Sequence, residues 1–190
     1  MKIWITLMMI CLILNHSIAQ VDEAEDHERW EIIMEGTGDV LQYALPLSAG
    51  IITIIEKDYE GTKMMTKSIL TNVAITYTLK PLVHRKRPEG REVYDAFPSG
   101  HTSAAFAGAS FIHFRYGWKY GWPAYILATI TGVSRVEGPD GYHDFWDVGA
   151  GAIIGIGSSY LFTKPYKKDK ITIGYKANKN GRLITLTFTF

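Results

Sequence analysis

An all-α protein, a bundle of about five core helices with a small C-terminal β-hairpin, is the fold class that the sequence predicts. Two observations carry this reading. Five segments rich in apolar and small residues, roughly Val40–Ile55, Met64–Leu79, Thr102–Phe114, Tyr120–Val133 and Val148–Phe162, follow one another with no long alternating pattern among them. Only the tail alternates: Ile171-Thr172-Ile173 and Leu183 to Phe190 flank "NKNG", a strong turn signal. At 190 residues the chain suits one domain with one core.

The start, "MKIWITLMMICLILNHSIAQ", has the order of a secretory signal: Lys2, an apolar run from Ile3 to Leu14, and a small-x-small site at Ser17-Ile18-Ala19. The predicted division is therefore a signal peptide over 1–19, a helical domain over 20–166 and a hairpin tail over 167–190. The single cysteine, Cys11, lies in the signal, so a chain beginning at Gln20 has no thiol for disulfides, zinc or nucleophilic attack. An acidic stretch, "VDEAEDHERWE", follows and reads as a solvated first turn or an interfacial helix. The connections "EKDYEGTK", "HRKRPEGREVYDAFP", "RYGWKYGWP" and "EGPDGYHD" carry the Gly, Pro and charge punctuation of loops.

Two readings of the helices stay open. Their uncharged runs are shorter than the roughly 20 residues of a membrane span, which favours a soluble or partly inserted bundle. Against that, the runs from Val40 and Val148 are uncharged, Thr102–Ser110 is crowded with Ala and Gly, and Tyr116, Trp118, Tyr120 and Trp122 cluster at one loop. If residue 20 starts outside and every segment crosses, "KDYEGTK", "RYGWKYGW" and "TKPYKKDK" fall on the cytoplasmic side, as the positive-inside tendency expects. The basic loop from Lys80 to Arg91 then falls outside and needs another reason for its charge. Net charge is only +1, which excludes a typical nucleic-acid binder.

Three stretches carry candidate chemistry. In "KPLVHRKRP", Lys80 and Arg87 suit a polyanion, and Pro88 is expected to stop the helix with Arg87 at its end. Arg85 and Lys86 are read as bystanders. In "PSGHTSAAFAGAS", Ser99 is a good N-cap, and Gly100 lets a ligand approach a helix N-terminus whose N–H groups suit phosphate. His101 stands there as a proton donor or acceptor. In "SRVEGPDGYHDFWDV", Arg135 lies at a helix end, and His143 and Asp147 stand four apart on one face. A carboxylate on one imidazole nitrogen fixes the tautomer and leaves the other free to attack. Each stretch alone also reads as an ordinary capped helix or basic loop. Alternating helix directions, however, bring all three to one end of the bundle.

In that order the motifs resemble the type-2 phosphatidic acid phosphatase family. The signature is a Lys, six residues and Arg-Pro; then Pro-Ser-Gly-His; then Ser-Arg followed by a His and, four later, an Asp. Here these are Lys80…Arg87-Pro88, Pro98-Ser99-Gly100-His101 and Ser134-Arg135…His143…Asp147. The resemblance covers about Met64 to Phe162. The family usually places five residues between its Arg and His, and this chain has seven, "VEGPDGY". The resemblance implies that His143 is the nucleophile, Asp147 its orienting carboxylate and His101 the general acid. It also implies that Lys80, Arg87, Ser99, Gly100 and Arg135 hold the phosphoryl group. No metal or other cofactor is needed, because cations surround the phosphate.

The activity so implied is removal of a phosphate monoester from an envelope lipid, above all lipid A, through a phosphohistidine. The expected setting is the bacterial inner membrane with a periplasm-facing site. The expected partners are the phosphorylated lipid and the membrane, without nucleic acid. Alternatives are a polyprenyl diphosphate or phosphatidylglycerol phosphate phosphatase, a soluble periplasmic acid phosphatase, a vanadate-dependent haloperoxidase, or a binding protein that retains the motif.

Overall fold

The computed structural model of the chain describes residues 29–88, 92–138, 142–166, 170–178 and 181–189. The expected signal over 1–19 and three residues of the long loop before His143, Pro139, Asp140 and Gly141, lie outside them. Among the described residues are five α-helices: α1 Arg29–Ile55, α2 Tyr59–Val83, α3 Gly100–Tyr116, α4 Trp118–Glu137 and α5 Phe145–Phe162. Two strands follow, β1 Lys170–Asn178 and β2 Gly181–Thr189, paired antiparallel from Lys170 opposite Thr189 to Asn178 opposite Gly181.

Most of the helices outrun the uncharged segments that announce them. Charged residues at their ends satisfy the backbone as well as apolar ones do, so hydropathy marks the middle of each helix and not its limits. At 27 residues, α1 is about 40 Å long, and α5 with 18 is about 27 Å. These two are long and apolar enough to cross a membrane, by length and composition. One expected boundary moves. The second helix ends at Val83, not before Pro88; His84 takes the left-handed conformation and returns its N–H to the Lys80 carbonyl. Arg87 therefore stands on a loop and not at a helix terminus.

Small residues put α3 at the centre, where it touches all four other helices. Ala105, Ala107 and Ala109 are fully buried on it. Gly151 and Gly155, one turn apart on α5, let that helix close onto α3. A Cβ at either would come within 2.6 Å of the Ser99 carbonyl oxygen or 2.4 Å of the Ser103 carbonyl oxygen. Close approach of this kind is how helices associate where burial of apolar surface supplies little drive.

Inside and outside are polarised in an unusual sense. Ser48, Thr53, Ser68, Thr131, Ser158 and Ser159 are buried, whereas Leu47, Ile54, Leu70, Ile153 and Leu161 point outward and are exposed. Apolar exposure on this scale marks a surface that meets something other than water.

Candidate active site

One cavity of ≈ 680 Å³ opens at the end of the bundle where α2 and α4 finish and α3 begins. Its wall brings together Lys80, Arg87, Gly100, His101, Arg135 and His143. Six of the eight expected site residues thus meet from the three separate stretches of chain. The other two stand behind the wall. Ser99 caps α3, fully buried, and its hydroxyl oxygen accepts from Thr102. Asp147 lies in the first turn of α5 and faces His143 at 3.7 Å, from Oδ2 to Nδ1.

Local chemistry explains each placement. Ser99 begins α3 because its hydroxyl takes an N–H that the helix leaves unpaired. A Cβ added at Gly100 would meet only the Thr76 methyl, at 4.0 Å, so the backbone there is open to the cavity. Asp144 and Asp147 form a reciprocal capping box at the start of α5. Asp147 therefore does two jobs: it closes the cap and faces the histidine. The His143 N–H donates to the Arg135 carbonyl at 3.1 Å, which ties the last motif together across the long loop.

The loop after α2 folds back on itself. The Arg87 N–H donates to the Val93 carbonyl at 2.9 Å, and the Ala96 N–H to the Arg85 carbonyl at 3.1 Å. That return sets Asp95 opposite two of the cations. Arg87 grips it with Nε at 2.7 Å and Nη2 at 3.1 Å, and Lys80 Nζ donates to its main-chain carbonyl at 2.5 Å.

On the other side Asp39 serves Arg135 and His101. Its Oδ1 lies 2.8 Å from Arg135 Nη1 and 3.2 Å from His101 Nε2. Arg135 is almost fully buried and also donates to the Glu35 carbonyl at 2.8 Å. Gly38 makes this possible: a Cβ there would lie 1.9 Å from Ser134 Oγ and 3.0 Å from Arg135 Nη2. Tyr142 lies against both arginines, its ring centre 5.1 Å from the Arg87 guanidinium and 5.9 Å from that of Arg135.

Asp39 and Asp95, which pair with the cations of the site, are residues that sequence reasoning missed. Asp39 lies one residue before the apolar run taken as the first helix. Asp95 is one of several acids in a loop. A third omission is a correction. Arg85, read as a bystander, donates to Asp147 Oδ1 at 3.1 Å and also pairs with Asp144. Lys86 pairs with exposed Glu92.

Burial pushes the His143 imidazole below its ordinary value, Lys80 and Arg87 add to the shift, and Asp147 works against it. The shift favours the neutral form of the ring. For Asp95, burial acts to raise the carboxyl, but the hydrogen bonds from Arg87 and the charge of Lys80 outweigh it and hold it low. The site is thus a set of cations held by two carboxylates and arranged around a histidine. An incoming phosphate group offers the same cations a more highly charged partner.

A family model for the PAP2 superfamily matches residues 63–170. The chain is 34% identical over 145 residues to a lipid A 4'-phosphatase of Helicobacter pylori, covering 71% of this chain and 72% of that protein. It is 40% identical over 75 residues to a lipid A 1-phosphatase of Porphyromonas gingivalis, covering 38% of this chain and 16% of that protein. Among solved structures, LpxE of Aquifex aeolicus superposes with a TM-score of 0.61 at 21% identity, over 82% of this chain and 92% of that one. A phosphatidylglycerolphosphate phosphatase of Bacillus subtilis gives 0.57 at 20% identity, over 85% and 93%.

Proposed function

The chain belongs to the PAP2 superfamily, and from that premise we propose that it is a lipid A phosphatase working through a phosphohistidine. The observation that carries the chemistry is the single cavity wall shared by Lys80, Arg87, Gly100, His101, Arg135 and His143. The similarity to a lipid A 4'-phosphatase over most of both chains supports the substrate.

In the first step the free Nε2 of neutral His143 attacks phosphorus, and the bond from phosphorus to the sugar oxygen breaks. His101 passes its proton to that oxygen as it leaves. Asp147 stabilises the positive charge that the His143 ring acquires. In the second step water attacks the phosphohistidine, His101 takes the water's proton, and the phosphorus–nitrogen bond breaks to release phosphate. Lys80, Arg87 and Arg135, with the start of α3 set by Ser99 and Gly100, hold the phosphoryl oxygens while charge spreads over them. Arg87 exchanges Asp95 for phosphate, and Arg135 and His101 loosen from Asp39 as substrate enters.

The helical domain over 20–166 sits in the inner membrane in this reading, exported by the segment over 1–19. The apolar outer surface and the buried hydroxyls support it, since lipid replaces water around the bundle. The charge of the loops supports a periplasm-facing site. The test is purified protein assayed for phosphate release from lipid A, undecaprenyl diphosphate and a soluble phosphomonoester. Labelled phosphate trapped on His143 and lost in His143→Ala is the expected result. Full activity in His143→Ala, or label on another residue, overturns the mechanism.

A further inference from the structure

The cavity does not end at the cations. It runs on between α1 and α2 past Asn72 and Thr76, which precede Lys80 by two turns and one turn along the same face of α2. Both are almost fully buried. Leu47, Ile69 and Val73 line the same stretch with apolar surface. Ser103, one turn into α3 from Gly100, completes the polar strip.

The hydrogen bonds in this strip can be assigned by counting donors. Ser103 Oγ lies 3.0 Å from the Gly100 carbonyl, 3.1 Å from Thr76 Oγ1 and 3.4 Å from Asn72 Nδ2. The Gly100 carbonyl can only accept, so it takes the one proton that Ser103 has to give. The Ser103 oxygen must then accept from Thr76 and from the Asn72 amide N–H. This fixes the Asn72 amide with its oxygen turned away from Ser103. That oxygen, Oδ1, is buried and has no hydrogen-bond partner. A buried acceptor without a donor is costly, and Asn72 is one of the residues that line the cavity leading to the phosphate site.

We propose that Asn72 Oδ1 is a specificity subsite that accepts a hydrogen bond from the acyl region of the substrate. The ligand it fits is a phosphorylated lipid with an amide N–H or a hydroxyl close to its headgroup. Lipids whose chains are joined only by esters offer acceptors there, and they leave Asn72 unpaired. A site built around a buried polar group discriminates strongly against a ligand that lacks the matching partner. This rests on the cavity taking a phosphorylated lipid, as proposed above, and adds which chemical class of lipid it takes.

The test uses two lipids with a common phosphate monoester: ceramide 1-phosphate, with an amide N–H and a hydroxyl, and chain-matched diacyl phosphatidic acid, with neither. Binding to full-length His143→Ala protein in mixed micelles is measured for each, so the result does not depend on turnover. The expected outcome is binding of the amide lipid about tenfold tighter. Adding Asn72→Leu should bring the ratio to about one, with the affinity for phosphatidic acid held or improved. Asn72→Asp, which keeps an acceptor oxygen, should retain the preference. If the leucine variant does not fold, the comparison in protein with Asn72 and the aspartate variant decide. Equal affinity for the two lipids with Asn72 present, or an undiminished preference in Asn72→Leu, overturns the subsite. Phosphate release by the wild-type protein is followed separately on lipid A; its absence counts against the phosphatase reading and not against the subsite.

Discussion

At the scale of single residues, Arg85 shows how a site is built behind its reacting groups. Its guanidinium and the His143 ring share one carboxylate, Asp147. Other charges facing His143 are Lys80, Arg87 and Asp95. Arg85→Ala should lower kcat by roughly 10- to 100-fold through misplacement of Asp147, with little change in KM. It should also move the acid limb of the pH–rate profile upward, because an Asp147 freed from Arg85 favours the protonated ring. In the unmodified protein that limb should lie below pH 6.5, the ordinary value from which burial lowers His143. Linkage gives a matching sign for stability. The unfolded chain takes up a proton at this histidine sooner than the folded one does, so stability falls as pH drops from 6.5 toward the folded value. A pH–rate series on both proteins checks the pair; an unchanged limb in Arg85→Ala would show that Arg85 only packs. Arg87→Ala and Arg135→Ala should each lose at least about 100-fold in turnover, the scale of one transition-state donor.

At the scale of elements, the motifs were legible and their supports were not. Lys80, Arg87, Gly100, His101, Arg135 and His143 could be named because short spacing and helix polarity place them at one end of a bundle. Asp39, Asp95 and Arg85 could not, because each depends on a fold-back that local sequence does not encode. Asp95 reaches Arg87 only because the loop returns on itself. Asp39 reaches Arg135 across 96 positions of sequence. Helix ends were misjudged for a related reason: hydropathy reads burial and lipid contact, and a helix continues past both. The helix contacts themselves yield a prediction. Gly155 touches α3 through backbone that has no room to move, with the Ser103 carbonyl oxygen and the Ala107 nitrogen both under 3.0 Å from an added Cβ. Gly155→Leu should therefore push α5 from α3 and lower thermal stability by about 1–3 kcal/mol as an overpacking change. Because α5 carries Asp147, activity should fall with it. Gly157→Ala, where an added Cβ meets nothing, is the control and should change neither. Thermal unfolding in detergent with a parallel activity assay tells them apart.

At the scale of the whole molecule, the two ends of the bundle do different work. The site end holds its charges in a solvent-reached cavity. The opposite end is closed by a buried knot. Asp58 caps α2 by accepting from the Gly61 N–H at 2.9 Å, and Arg115 at the end of α3 grips its carboxylate, with Nε at 2.7 Å. Tyr116 donates to the same carboxylate at 3.0 Å. Arg115 Nη1 donates to the Lys164 carbonyl at 2.8 Å, and the Tyr166 N–H donates back to the Arg115 carbonyl at 2.7 Å. One ion pair thus joins the α1–α2 turn, the end of α3 and the chain leaving α5. Burial acts to raise the Asp58 carboxyl, but hydrogen bonds from Arg115, the Gly61 N–H and Tyr116 hold it below the usual carboxylate range. Its contribution is therefore complete above that range and is lost as pH falls through the lower folded value. Asp58→Ala strands a buried guanidinium and removes a cap, so it should cost about 3–5 kcal/mol. The site lies at the other end, so the folded fraction of Asp58→Ala should keep its kcat and KM for lipid A. Unfolding midpoints and kinetics on the same preparations test both halves. A variant that stays stable would show that this knot does not hold the bundle closed, and one that folds fully but loses turnover would show that it is coupled to the site.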